Sequence, residues 1–243
     1  MKQGDMSQGM FPCSFLRVRF YGFVYAAVIS GSHFAGKERP RPVAGSNSLP
    51  DQPANQSAPP PQELCRTSSM IFTLREELPG DAERIQQIHT AAFPTPAEGR
   101  LVDLLRNAGR LSVSLVAVVE GQPVGHIAFS PVSVGQLPGG QLPEGLGLAP
   151  LAVLPDFQKQ GIGGGLIRSG LAACVRKQVP FVVVLGEPGY YGRFGFQPAA
   201  RWNLSDEYGG GEAFQALELV TGGISAEGRV RYAPEFSMFA TGD

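Results

Sequence analysis

Residues 151–166 carry the most chemically suggestive spacing in this chain: Leu151-Ala-Val-Leu-Pro-Asp-Phe-Gln-Lys-Gln-Gly-Ile-Gly-Gly-Gly-Leu166. An apolar run leads into a glycine-rich turn, and a helical pattern follows it. The first N–H groups of a helix have no partner within it and lie at the positive end of its dipole. Glycines at that point, here Gly161 and Gly163, let the backbone approach an anion and adopt positive φ. The combination makes a cradle for a pyrophosphate, with Lys159 adding a mobile positive charge at the rim. The turn is not a P-loop, because no Gly-Lys-Ser/Thr follows. It also departs from the dinucleotide-binding GxGxxG pattern. The third glycine is replaced by Leu166, and no ribose-binding acid lies about 20 residues on.

Other reactive residue types are sparse. The cysteines at 13, 65 and 174 form neither a disulfide framework nor a CxxC pair, and they suit a reducing compartment. Cys174 falls on an apolar helical position and reads as core. His33, His89 and His126 lack metal-ligand spacing, so no metal is expected. The formal charge of −1 hides an asymmetry: residues 1–69 hold seven basic and four acidic residues, and residues 70–243 hold thirteen and seventeen. Neither part has the strongly basic balance of a nucleic-acid binder. A mildly acidic surface leaves room for a cationic substrate such as an amine.

These residues need elements to hold them. Residues 1–69 read as a leader outside the folded domain. Lys37–Pro61 is rich in Pro, Ser, Asn and Gln, lacks apolar periodicity and is expected to be disordered. Phe20–Ser30, apolar and preceded by Arg17 and Arg19, has the layout of a targeting segment but is too short to span a bilayer. A folded domain is expected over residues 70–243. Ile71–Arg75 alternates like a strand. Asp81 can cap a helix with Ala82, Ile85, Ile88 and Ala92 on its apolar face. Thr95-Pro-Ala-Glu98 reads as a capping box for a second helix carrying Leu101, Leu104, Leu105 and Ala108, which Gly109 can end. Ser112–Glu120 and Val124–Pro131 are expected strands joined through Gly121-Gln122-Pro123. A Gly/Pro-rich loop, Gln136–Glu144, separates them from Leu146–Leu154, a strand apolar enough to be buried on both faces. Gly161–Gln178 reads as a helix with the stripe Ile162, Leu166, Gly170, Cys174 and Gln178. Phe181–Leu185 is a buried strand, and a short helix is expected around Tyr190–Phe194. Strands at Phe214–Val220 and Val230–Tyr232 complete an α/β arrangement.

The segment Gln158-Lys-Gln-Gly161-Ile-Gly163 resembles the Q/R-x-x-G-x-G/A signature of the GNAT superfamily of N-acetyltransferases, and Leu151–Pro155 resembles the fourth strand of that fold. A second match, Tyr190-Tyr191-Gly-Arg193-Phe-Gly195-Phe196, resembles the family's F-Y-x-K-x-G-F segment, with Arg193 in place of the commoner lysine. Val124–Pro131, Leu185–Tyr191 and the tail segments Ala216–Leu219 and Val230–Pro234 point to the YhbS-like branch. The resemblance runs from about Met70 to Phe236 and implies a mixed, mostly antiparallel central sheet flanked by helices. It implies acetyl-CoA as the acyl donor, with pantetheine paired to the backbone of Leu151, Ala152 and Val153. The pyrophosphate would take N–H groups of Gln158, Lys159, Gln160, Gly161, Ile162 and Gly163, with Gly164 nearby. An enzyme drawing on acetyl-CoA needs a compartment that contains it. A cytoplasmic location is therefore expected, and the leader reads as non-functional rather than secretory. The resemblance leaves a homodimer open.

The implied reaction is direct transfer of acetyl from acetyl-CoA to an amine acceptor. Tyr191 occupies the family's general-acid position, where a phenol can protonate the departing thiolate; the alternative is that it only packs against the cofactor. Tyr190 fits an aromatic packing position. No acid stands on Leu146–Val153, where many members carry a glutamate. The base candidates are His126, Glu187 and Glu144, each of which has a plain structural alternative as a strand histidine, a helix cap and a loop acid. A backbone N–H of the Leu151 strand can polarise the thioester carbonyl. The competing reading is a GNAT-fold module that senses acyl-CoA without turnover. The acceptor itself is not legible.

Overall fold

The computed structural model describes residues 71–135 and 144–239. The leader, the Phe20–Ser30 segment, Met70 and the loop residues 136–143 therefore lie outside the described residues. The first strand, β1, is Thr73–Glu76, and two helices follow, α1 (Ala82–Ala92) and α2 (Ala97–Asn107). Ile85, Ile88 and His89 of α1 and Leu101, Val102 and Leu105 of α2 are buried, so each helix turns one stripe inward. Leu104, expected on that stripe, is 44% exposed, and Val102 takes the inward position. Asp81 precedes α1 but makes no side-chain cap bond to it. Its carboxylate instead accepts from Leu78 N–H at 2.7 Å and pairs with both terminal nitrogens of Arg75, at 2.5 and 2.9 Å. At the start of α2, Thr95 Oγ1 accepts from Ala97 N–H at 3.4 Å and lies 3.4 Å from Glu98 Oε2.

Strands β2 (Val113–Val119) and β3 (Gln122–Val134) form a hairpin. Its turn is Glu120-Gly121, with φ of 49° and 80°, rather than the expected Gly121–Pro123. Two successive positive φ values match the primed turn whose twist suits paired strands. Pro123 consequently sits inside β3, facing Val118. Strand β4 (Glu144–Val153) lies antiparallel to β3 and parallel to β5 (Phe181–Leu185). Helix α3 (Ile162–Arg176) connects them in the crossover that a parallel pair requires. Ile162, Leu166, Gly170 and Cys174 are buried as one stripe, while Gln178 falls past the helix end with φ of 58°.

Beyond β5 come the short helix α4 (Pro188–Tyr191) and the strands β6 (Gln197–Pro198), β7 (Leu204–Asp206), β8 (Phe214–Glu218) and β9 (Gly228–Arg231). The first two of these strands were not anticipated; at two and three residues they are too short to show a period. The sheet order is β1-β2-β3-β4-β5-β8-β6, with β9 paired to β3 and β7. Among the described residues, only β4–β5 and β7–β9 are parallel. One face of the sheet packs Ile127, Phe129, Leu151, Val153, Val182 and Val184 against Ile162, Leu166 and Cys174 of α3. The opposite face takes α1, α2 and the C-terminal segment, with Leu101, Leu105 and Ala149 against Ala233 and Phe236. Each fully buried Leu, Ile or Val side chain contributes roughly 1.5–3 kcal/mol, which makes these two layers the main source of order in the sheet.

Candidate active site

Strands β4 and β5 pair only at Leu146–Val182 and Gly147–Val183. After that, β4 runs on to Val153 while β5 turns its edge to β8. The two strands separate at a bulge. Ile127 faces Leu151 and Phe129 faces Leu148, so Ala149 and Pro150 stand together against Ala128. An extra residue in one strand bends it and increases its local twist. The β4 backbone past the bulge, at Leu151, Ala152 and Val153, thus has no strand partner on its β5 side. The Val153 carbonyl is taken by the Gln158 side chain, whose Nε2 donates at 2.9 Å, and this ties the following turn to the end of β4.

That turn ends at Gly161, with φ of 86°. A side chain there would meet no neighbour, so the left-handed backbone itself is what calls for glycine. The first α3 bond runs from Gly165 N–H to Gly161 C=O, which places the N–H groups of Ile162, Gly163 and Gly164 ahead of the helical ladder. Lys159 and Gln160 are exposed on the same turn, and Ile162 points into the core. A Cβ on Gly163 would lie 3.0 Å from the Tyr190 hydroxyl and 3.9 Å from Val153 Cγ2. The Tyr190 phenol therefore stands over the start of α3, beside the end of β4. Two arginines gather there as well. Arg193 lies 4.4 Å from the Tyr190 ring centre, and Arg168 sits beside Gly164 and 5.9 Å from the Phe194 ring centre. Arg168, nearly two turns into the helix, has no sequence motif to mark it.

Tyr191 turns the other way. It is 1% exposed, packs into the cluster that contains Leu151, Val153, Ile162 and Leu166, and meets Tyr190 and Phe196 edge-on. Its hydroxyl has no hydrogen-bond partner. Burial raises its pKa, so it is a neutral phenol at ordinary pH. Glu187 is exposed at the N-cap of α4, where its Oε1 accepts from Gly189 N–H at 2.9 Å. Glu144 is the first residue of β4 rather than part of the preceding loop. Cys174 is buried, and burial pushes its thiol up to about 12, which suits core packing and not nucleophilic attack.

His126 is fully buried on β3, opposite Ala152 of β4. It belongs to a chain of polar groups drawn from four elements. His89 Nε2 of α1 lies 2.8 Å from His126 Nδ1, and His126 Nε2 lies 2.9 Å from Ser114 Oγ of β2. Ser114 Oγ donates to Glu77 Oε2, which is itself 3.7 Å from His126 Nε2. Arg106 of α2 donates from Nε to Glu77 Oε1 at 2.6 Å and is also bonded to Asp103. Burial opposes ionisation of Glu77, but the neighbouring His126 and the hydrogen bonds from Arg106 and Ser114 outweigh it and hold the carboxyl at about 2. Burial also lowers both histidines, with His126 partly restored by Glu77. Of these residues, His126 alone stands out in the sequence as a candidate. His89 lies between Ile88 and Ala92 on the inward stripe of α1, and that place marks it as a buried polar group in need of a partner. Among the described residues, no group of three or more His, Cys, Asp or Glu is arranged to hold a metal ion, and no helix is long and apolar enough to cross a membrane.

Residues 73–199 match the model of the family described as an acetyltransferase (GNAT) domain. The chain is 38% identical over 169 residues to the uncharacterized N-acetyltransferase YhbS of Escherichia coli K12, covering 68% of this chain and 99% of that protein. It is 39% identical over 133 residues to the uncharacterized N-acetyltransferase YjhQ of the same organism, covering 53% and 71%. Among solved structures, it is similar to Escherichia coli YhbS in complex with CoA, with a TM-score of 0.65, 36% identity, and coverage of 69% of this chain and 93% of that one. It is also similar to a GNAT-family acetyltransferase from Brucella melitensis in complex with acetyl-CoA, with a TM-score of 0.56, 38% identity, and coverage of 68% and 98%.

Proposed function

This chain belongs to the GNAT acetyltransferase family, and we propose that it moves the acetyl group of acetyl-CoA directly onto a primary amine of a small molecule or protein. The observation that carries the proposal is the junction of two features: β4 freed from β5 beyond Gly147, and an α3 N-terminus opened by the positive φ of Gly161. A strand edge with no strand partner suits the amides of pantetheine. A helix start with N–H groups ahead of its ladder suits a pyrophosphate. In this reading Leu151, Ala152 and Val153 hold the arm, and Gln158 to Gly164 hold the diphosphate, with Arg168 and Arg193 near its charge. Two similar proteins were crystallised with CoA and acetyl-CoA, which supports the donor.

With both substrates held in line, much of the rate comes from positioning. A β4 backbone N–H polarises the thioester carbonyl, and the neutral amine attacks it. The amine's proton must leave and the thiolate must receive one. Tyr191 is the proposed acid: its hydroxyl is buried, unpartnered and in the cluster that includes Leu151 and Val153, so a ligand atom at that point would satisfy it. Glu187 spends Oε1 on the α4 cap, and the proposed proton acceptor lies on the histidine side of the sheet, where His126 faces Ala152 of β4. The reaction is placed in the cytoplasm, where acetyl-CoA is supplied, and residues 70–243 are the proposed functional domain. The test is acetyl-CoA binding and thiol release by purified protein with a panel of amines. Binding and release together support the reading. Binding without release on any amine would leave a sensor module, and no binding would remove the reading altogether.

A further inference from the structure

The buried polar chain on the α1 side of the sheet has a direction. Glu77 is a carboxylate and can only accept. Ser114 gives it its hydroxyl proton, so toward His126 the serine oxygen accepts. His126 must then carry its proton on Nε2, which leaves Nδ1 as a lone pair. His89 Nε2, 2.8 Å from that lone pair, must be the donor. In a neutral imidazole the remaining nitrogen is bare. His89 Nδ1 therefore ends the chain as an unprotonated acceptor, and it is buried without any hydrogen-bond partner. A buried polar atom left in this way is costly unless something occupies it.

Its location fits a use. His126 faces Ala152 across the β3–β4 ladder, and Ala152 packs against Ile88 and Phe93 of the segment that carries His89. The His89 ring lies against Phe93, with centroids 5.9 Å apart. The His89 ring therefore lies on the α1 face of the sheet, beside the part of β4 just past the bulge and opposite the face on which α3 packs. We propose that His89 is the terminal proton acceptor of the transfer reaction, reached from the amine through water, and that His126, Ser114 and Glu77 are positioning residues that fix its tautomer. The amine's proton arrives on His89 Nδ1, and the Nε2 proton passes to His126 Nδ1. The resulting imidazolium, His126, lies 3.7 Å from Glu77 Oε2, and the proton returns to solvent after product leaves. No oxidant or co-reactant is involved. The other charges facing this chain are Arg106 and Asp103 from α2 and the Arg75–Asp81 pair beside β1. Arg106 disfavours charge on both histidines, and Glu77 favours it on His126.

This inference rests on the acetyl-transfer reading, but its first test does not need turnover. His33 is the one other histidine in the chain. Full-length protein carrying His33→Gln and ¹⁵N-labelled histidine would show two buried rings, both neutral and both protonated on Nε2, as the pH falls through the ordinary histidine range near 6.5. Ser114→Ala should unlock the His126 tautomer, and a proton on His89 Nδ1 in the unaltered network overturns the relay whatever the enzyme does. The second test uses two amines, benzylamine, which arrives charged, and aniline, which arrives neutral. His89→Phe should lose about a hundredfold in kcat with benzylamine, with acetyl-CoA KM unchanged, and only a few-fold with aniline. An equal loss on both amines overturns the relay while leaving the transferase reading intact. If wild-type protein acetylates neither amine, the transferase reading is at fault, and the tautomers still decide the wiring.

Discussion

The two faces of the sheet meet at the same strand and are built by opposite means. On the α3 face the proposed donor site is nearly all backbone: a strand edge, a turn with two positive φ values and the first N–H groups of a helix. Its residues fall within one run, 151–164. On the α1 face the polar groups are side chains from positions 77, 89, 106, 114 and 126, each on a different element or connection. The difference teaches where each site is fragile. A backbone site is damaged by what is added to it, and a side-chain network by what is removed from it.

Four changes sharpen or break this contrast, in decreasing order of expected effect. Glu77→Gln should cost about 3 kcal/mol of stability at neutral pH, since the carboxyl held at about 2 in the fold ionises near 4.3 when unfolded. That stability is fully present above the unfolded value and is lost as the pH falls from near 4.3 toward 2. Urea denaturation at several pH values reads it, and an unchanged acid limb in the variant would mean that Glu77 is not the anchor. The histidines act in a higher window. Their folded pKa values are lowered, so the unfolded chain takes up protons first, and stability should begin to fall as the pH drops below about 6.5. Tyr191→Phe removes only a buried hydroxyl; turnover should fall about a hundredfold with acetyl-CoA affinity retained, as thiol-release kinetics and calorimetry would report. An undiminished kcat would assign Tyr191 to packing alone. Gly163→Leu adds a side chain where a Cβ already lies 3.0 Å from the Tyr190 hydroxyl. It should weaken acetyl-CoA at least tenfold, about 1.4 kcal/mol, with little change in the histidine signals. Gly161→Ala has open space for its methyl group but a φ of 86°, so it should cost about 1 kcal/mol of stability, measurable by thermal unfolding.

The same contrast explains what could be read in advance. The glycine turn, the apolar β4, the α3 stripe and the Tyr190–Phe196 segment are each local, and local periodicity and turn chemistry put them in order. The placement of α1 and α2 and the hairpin of β2 and β3 were legible for the same reason. Leu104 was misplaced because two adjacent registers of α2 each offered an apolar stripe, and only its packing partners chose between them. Asp81 looked like a helix cap because nothing local announces that Arg75, six residues back, will claim its carboxylate.

Sequence alone determined the family resemblance, the sequence order of its two motifs and the presence of a helix start rich in unpaired N–H groups, because those depend on neighbours along the chain. It offered His126 and could not say whether that residue was a base or a plain strand histidine. The tertiary structure decided that His126 has His89 on one side and Ser114 with Glu77 on the other, and that Tyr191 is buried beside Leu151 and Val153 while Tyr190 stands over the turn. The physical reason is that a backbone site is written in consecutive residues. A hydrogen-bonded chain of side chains exists only once β1, α1, β2 and β3 have been packed together.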